Sequence, residues 1–200
     1  GQLSIRWAER AVNQYLNKIL ETDNKDYVLA SDTDSLYVTM ESMVEKVGLT
    51  DTDKIIKFLD TICDGKIQDV IDKDYDEMAE YVHAFQQKMV MKREVLADVG
   101  IWVAKKHYVL NVHNSEGVQY EEPKLKIMGI EAVKSSTPEP CRNALKEAFK
   151  ILMNGTEDDV INFIEEFRER FKTFPPEDVS FPRSVSCLLY TSDAADDSLR

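Results

Sequence analysis

Tyr27-Val28-Leu29-Ala30-Ser31-Asp32-Thr33-Asp34-Ser35-Leu36-Tyr37-Val38 decides how this chain is read. Valine, tyrosine and leucine suit a half-buried pleated surface. The aspartates and serines between the two runs supply turn chemistry, which predicts a β-hairpin with Asp32 and Asp34 at its tip. Side chains two apart share one face of a strand, so extended geometry carried into the tip would aim both carboxylates the same way. Two such anions repel, and a hard divalent ion with oxygen ligands, such as Mg²⁺, removes that penalty. Asp-x-Asp at a turn also commonly does no more than cap backbone amides, and the tip residues alone leave both readings open.

At full length the string changes the balance. Apolar strand, Asp-Thr-Asp-Ser, then apolar-Tyr-apolar resembles the third sequence motif of the family B DNA polymerases, with Thr33, Ser35 and Tyr37 filling positions around the acids. About seventy residues on, Ile101-Trp102-Val103-Ala104-Lys105-Lys106-His107-Tyr108-Val109-Leu110-Asn111-Val112 resembles that family's Lys-Lys-Arg-Tyr strand. Alternation along such a strand would put Lys106 and Tyr108 on one face and Lys105 with His107 on the other. By itself, the lysine pair also fits a solvated edge protected from pairing. His107 departs from the family's usual arginine; a neutral imidazole lacks the fixed charge and fork geometry, so a phosphate contact there is expected to be weaker. Lys124-Leu125-Lys126-Ile127-Met128-Gly129-Ile130-Glu131 and Ser135-Ser136-Thr137-Pro138 resemble the palm-to-thumb passage of the polymerases of large tailed bacteriophages. Gln2-Leu3-Ser4-Ile5 and Phe181-Pro182-Arg183 fit the same subgroup, so the resemblance covers roughly residues 1–186.

The resemblance implies an α+β fold: an antiparallel palm sheet with covering helices over 1–130, the helical base of a thumb over 131–186, and a probable non-native tail over 187–200. It also implies a chemistry, DNA-templated DNA synthesis by two-metal nucleotidyl transfer. A primer 3′-hydroxyl attacks the α-phosphorus of a deoxynucleoside triphosphate, helped by two Mg²⁺ ions about 4 Å apart. Asp34 would bind both metals and Asp32 would support it. Glu94 would stand near the metal site, its competing role being a surface salt bridge to Arg93 or Lys105. Lys105, Lys106 and Tyr108 would hold primer-template DNA, with lesser parts for His107, Lys124 and Lys126. A sliding clamp is a further partner implied, through a C-terminal segment not included. The family's other metal-bridging Asp and its triphosphate-gripping helix are expected upstream of Gly1, so the chain is expected to be a fragment that does not polymerise alone. Two other readings compete: a nucleotide-sugar glycosyltransferase, whose Asp-x-Asp holds a metal on a diphosphate, and a non-catalytic module in which the acids only cap a turn.

Composition bounds these expectations. The 200 residues are 43% hydrophobic, enough for one substantial core, and carry a formal net charge of −12. Spread evenly, that charge would oppose nucleic acid, because duplex binding is dominated by phosphate neutralisation. Between Gln86 and Lys134, however, eight lysines and arginines face six acids, a net +2 that leaves −14 elsewhere. A mildly basic strip on an acidic body suits a protein that grips a duplex along one face. Three cysteines without metal-ligand spacing, Cys63, Cys141 and Cys187, point to a reducing compartment. The absence of a long apolar run or leader pattern predicts a soluble chain of the cytoplasm, the host's if viral, with no membrane partner.

Periodicity supplies the remaining elements. Leu3, Trp7, Ala8, Ala11, Val12, Tyr15, Leu16 and Ile19 predict an amphipathic helix over about 2–20. Apolar residues from Ile55 to Val82 predict one long helix, or two with a break near Gly65. Strands are predicted over 89–97, 101–112 and from Val118, with Asn114-Ser115-Glu116-Gly117 as a turn. Thr137 is expected to cap a helix opened by Pro138 and ended by Asn154-Gly155, and Thr156 to start another with Asp159 completing its cap. The tail from Cys187 reads as translated sequencing adapter and is expected to be disordered.

Overall fold

Ala8, Val12 and Leu16 recur at helical spacing, and each is almost completely withdrawn from solvent on one side of α1 (Gln2–Leu20). In the computed structural model, which describes residues 1–183, Ile5 takes the buried place expected of Leu3, which stays half exposed. The chain turns back after Glu21, whose left-handed φ of 58° closes the helix, and enters β1 (Val28–Asp32) and β2 (Ser35–Val38). These pair antiparallel from Asp32↔Ser35 to Val28↔Val38, with a bulge that leaves Leu29 largely exposed. Next come α2 (Glu41–Val47), α3 (Thr52–Ile62), capped by Asp51 accepting from the Lys54 amide at 2.9 Å, and α4 (Gln68–Tyr81). The break expected near Gly65 is a five-residue π-helical segment, Cys63–Ile67, which joins α3 to α4 without interrupting the chain's helical path. Ala8, Val12, Leu16, Tyr27, Met43, Ile67, Ile71, Tyr75 and Met78 close over one another as the core of this part.

Three consecutive strands form a second antiparallel sheet, in the order β3 (Val95–Ala104), β4 (His107–Ser115), β5 (Val118–Met128). Several boundaries differ from the sequence expectation, and the division expected between 97 and 101 is absent because β3 runs through it. The strand predicted from Met89 begins only at Val95. Ahead of it the chain is held mostly by side chains: Gln68 Nε2 donates to the Met91 carbonyl at 2.8 Å, Arg93 reaches Asp60, Asp64 and Asn114, and one backbone bond runs from the Glu116 amide to the Glu94 carbonyl at 2.7 Å. The strand predicted over 101–112 is instead broken by a two-residue turn at Lys105-Lys106. Lys106 takes a left-handed φ of 64°, where glycine or asparagine ordinarily announces a turn, so periodicity ran straight through it. Of the turn expected over Asn114-Ser115-Glu116-Gly117, Glu116 and Gly117 do turn, with φ of 51° and 84°, while Asn114 and Ser115 still belong to β4.

A 3₁₀ turn (Glu131–Val133) leads to α5 (Glu139–Asn154), α6 (Glu157–Phe171) and the short α7 (Pro176–Val179). Thr137 is buried and does not cap α5; its amide donates to the Lys134 carbonyl at 3.1 Å, Pro138 occupies the cap position and Pro140 lies in the first turn. Thr156 does cap α6: its hydroxyl accepts from the Asp159 amide while the Asp159 carboxylate accepts from the Thr156 amide at 2.8 Å. The fold is thus mixed α+β, as expected. It resolves into two compact units, one of residues 1–100 and 110–126, the other of 101–109 and those from 127 onward. The expected tail, 187–200, lies outside the described residues.

Candidate metal and nucleic-acid sites

In the first unit, Thr33 and Asp34 form a two-residue turn between β1 and β2, and neither needs a left-handed backbone. Asp32 is the last residue of β1 and Asp34 lies in the turn itself, so extended geometry does not carry through the tip and strand alternation does not govern the pair. Asp32 Oδ1 accepts from the amide of the next residue, Thr33, at 2.8 Å and from its hydroxyl at 3.3 Å, local bonds that hold the carboxylate against the corner. Asp34 is exposed, and its Oδ1 receives a long 3.4 Å contact from the Ser35 hydroxyl. Tyr37 sits half buried opposite Ala30 in the register.

The hairpin's approach from α1 is fixed by two asparagines of that helix. Asn13 Oδ1 accepts from the Tyr27 amide at 2.8 Å while its Nδ2 donates to Asp26 at 2.9 Å. Asn17 Oδ1 accepts from the Lys25 amide and the Thr22 hydroxyl, both at 2.8 Å, and its Nδ2 donates to the Lys25 and Asn13 carbonyls. Both are polar residues four apart on a helix followed by a turn-rich loop, a signal that resembles any solvated helix face.

Glu94 precedes β3 rather than lying on it, and its carboxylate pairs with Lys126 instead of Arg93 or Lys105. Among the described residues no three His, Cys, Asp or Glu side chains converge on a metal-sized site. Two hard carboxylates on an exposed corner nonetheless fit Mg²⁺, which takes one or two protein carboxylates and completes its shell with water and substrate phosphates.

Arg93 is the residue whose importance charge counting concealed. With its side chain only 9% exposed, it pairs with Asp60, lies 3.4 Å from Asp64 and donates to Asn114 Oδ1 at 2.8 Å. It therefore ties α3 and the π segment to β4. Burial pushes the neighbouring Cys63 thiol up to about 11, against the pull of Arg93, so this thiol is no nucleophile. Beneath α1, burial likewise raises Asp74 to about 6, partly offset by Arg10 at 3.9 Å. On the strands, burial would raise Asp98, but the His113 ring nitrogen 3.0 Å away and a hydrogen bond from Asn111 at 2.8 Å outweigh it and hold the carboxyl below its ordinary range.

In the second unit, Lys105 and Lys106 project from the β3–β4 turn and are exposed. His107 Nδ1 donates to the Lys105 carbonyl at 2.8 Å. Tyr108 is buried, its ring 6.4 Å from that of Trp102. Because the two lysines are turn residues, Lys106 and Tyr108 do not share a strand face in the way alternation predicted. In the first unit, Lys124 lies over the Tyr120 ring at 4.1 Å, and Lys126 is engaged by Glu94.

No family model matches the chain. It is 41% identical over 168 residues, 78% of its length, to the DNA-directed DNA polymerase of Escherichia phage RB69. It is 34% identical over 183 residues, 86% of its length, to the DNA-directed DNA polymerase of Enterobacteria phage T4. These alignments take in 19% and 20% of the two relatives, so the chain spans about a fifth of the length of the curated proteins it matches.

Proposed function

We propose, from the premise that this chain belongs to the phage family B DNA-directed DNA polymerases, that it supplies a metal-binding acidic hairpin and a duplex-gripping turn to templated DNA synthesis. The observation that carries the reading is the exposed Asp34 on a tight two-residue turn, in a chain that is 41% identical to the RB69 enzyme over 78% of its own length. Asp34 offers its carboxylate to Mg²⁺, and Asp32, half committed to the corner's own hydrogen bonds, orients that tip and contributes second. When bound, paired Mg²⁺ ions would activate a primer 3′-hydroxyl and stabilise the departing pyrophosphate. Thr33 and Ser35 hold the two acids through the contacts described, and Tyr37 backs the hairpin. Glu94 enters as the partner of Lys126. Lys105 and Lys106 neutralise phosphates of a primer-template duplex, with Tyr108 and His107 shaping the turn that carries them. Lys124 adds a weaker cationic contact. Residues 1–130 thereby act as part of a palm and 131–186 as the base of a thumb, working in the host cytoplasm, with deoxynucleoside triphosphates as co-substrates and a sliding clamp as a partner of the whole polymerase.

The test is a chimaera in which residues of this chain replace the matched segment of the RB69 enzyme. Asp34→Asn should lower the primer-extension rate on the order of a thousandfold, the loss of several kcal/mol of charge stabilisation. Asp32→Asn should cost about tenfold. An Asp34→Asn chimaera extending primers at the unsubstituted rate would sink the reading. Retention of nucleotide sugars in place of primer-template DNA would favour the glycosyltransferase alternative instead.

A further inference from the structure

Gly129 has a φ of 70°, and a Cβ placed on it would lie 2.4 Å from the Lys106 carbonyl oxygen and 3.0 Å from His107 Cδ2. The first contact is with backbone and cannot be relieved by a side-chain rotation, so the main chain beyond β5 sits flush against the Lys105-Lys106 turn only because residue 129 has no side chain. That turn is itself in a conformation its sequence does not favour. Lys106 is left-handed with φ 64°, and its geometry is held from one side by the His107 ring on the Lys105 carbonyl. Gly129 closes on the other side. Two residues further, Glu131 is tied to Lys134 by a 2.6 Å hydrogen bond, which keeps its charge engaged beside this turn.

We infer that Gly129 is a positioning residue: it acts as a backstop that fixes the direction in which Lys105 and Lys106 project, and so sets how many duplex phosphates the turn neutralises. This rests on the proposed duplex contact of those lysines. A residue acting only on stability would change the fraction of folded chain; one that aims the lysines changes the number of counterions released on binding.

The experiment measures binding of the 200-residue chain to a fluorescent primer-template duplex by anisotropy across a salt series. Lys105→Ala and Lys106→Ala should each reduce the slope of log affinity against log salt by about 1. Gly129→Ala, which removes no charge, should reduce it by about 1 or more and weaken binding about tenfold at low salt. An unaltered slope in folded Gly129→Ala, with the slope reduced in both lysine variants, overturns the positioning role and leaves the duplex contact standing. Lysine variants with an unaltered slope, or no binding by the unsubstituted chain, overturn the duplex contact and this inference with it. If Gly129→Ala does not fold, the unsubstituted chain decides by NMR: a cross-relaxation peak between the Gly129 α-protons and the His107 ring supports the backstop, and its absence overturns it.

Discussion

Two hairpins in this chain end in two-residue turns that carry opposite charge. The acidic tip, Thr33-Asp34, uses ordinary backbone geometry and stabilises itself, through Asp32 accepting from its own neighbour. The cationic tip, Lys105-Lys106, needs a left-handed lysine and is braced from outside by His107 and Gly129. The difference teaches where each charge gets its direction. Asp34 is aimed by short-range turn chemistry and by a hairpin whose approach Asn13 and Asn17 pin to α1. Lys106 is aimed by a strand end twenty-odd residues away in sequence, so its placement is a tertiary matter from the start.

The largest effect expected from this contrast separates chemistry from grip. In the chimaeric polymerase, Asp34→Asn should depress kcat about a thousandfold. Lys106→Ala should raise the apparent KM for primer-template about tenfold with little change in kcat, and steady-state kinetics at saturating nucleotide distinguishes the two. Equal losses of kcat from both variants would erase the proposed division of labour.

Next comes the root of the cationic hairpin. Arg93→Met should destabilise the chain by about 2 kcal/mol in urea unfolding, since it removes the donor shared by Asp60 and the buried Asn114, whose Oδ1 keeps only the 3.2 Å bond from the Gly117 amide. A loss below about 0.5 kcal/mol would show that the arginine does not anchor β4, because that is the range of an ordinary surface substitution.

The helical pair beneath the acidic hairpin has the opposite character. Asp74, 8% exposed and with one oxygen lacking a hydrogen-bond partner among the described residues, keeps its proton up to about pH 6 when folded and loses it near 3.8 when unfolded. Between those values the folded chain holds the extra proton, so this group's contribution to stability falls as pH rises through the window, and the penalty is complete above it. Asp74→Asn should therefore raise stability at pH 7 by up to about 3 kcal/mol, two units of pKa at 1.36 each, and flatten the profile between pH 4 and 6. Thermal unfolding across that range checks it; a variant no more stable at pH 7 than the parent would refute the account.

The smallest expected effect addresses the cationic turn directly. Lys106→Asn should stabilise the chain by about 1 kcal/mol, because asparagine tolerates the left-handed region better, while duplex affinity falls. Stability and binding would then move in opposite directions at one residue, as at a site where backbone strain is retained for function. The acidic tip, which holds no left-handed residue, has no equivalent substitution.

Much of this architecture was legible because it rests on local rules. The spacing of Ala8, Val12 and Leu16 gave α1 nearly to the residue. Thr156 and Asp159 announced their cap, Glu116-Gly117 announced its turn, and Asp32 to Ser35 announced the acidic tip. What stayed hidden lacked a local signature. Nothing at Lys105-Lys106 resembles turn chemistry, so a hairpin read as one strand. Met89 to Glu94 has strand composition, yet Gln68 and Arg93 hold it as irregular chain. Thr137 looked like a cap, but Pro138 took the position and the threonine was buried.

By itself the amino-acid sequence determined the α+β character, the helical faces, the acidic corner and the kinship with phage polymerases, since each is written in neighbouring residues or in strings long enough to match. Tertiary structure alone decided that Glu94 meets Lys126, that Arg93 joins two helical segments to a strand, and that a glycine after β5 seats the turn bearing two lysines. Those pairings link residues from about twenty to over thirty positions apart. Their partners are chosen by how the chain packs, through burial, charge and close approach of backbone, which no window of sequence contains.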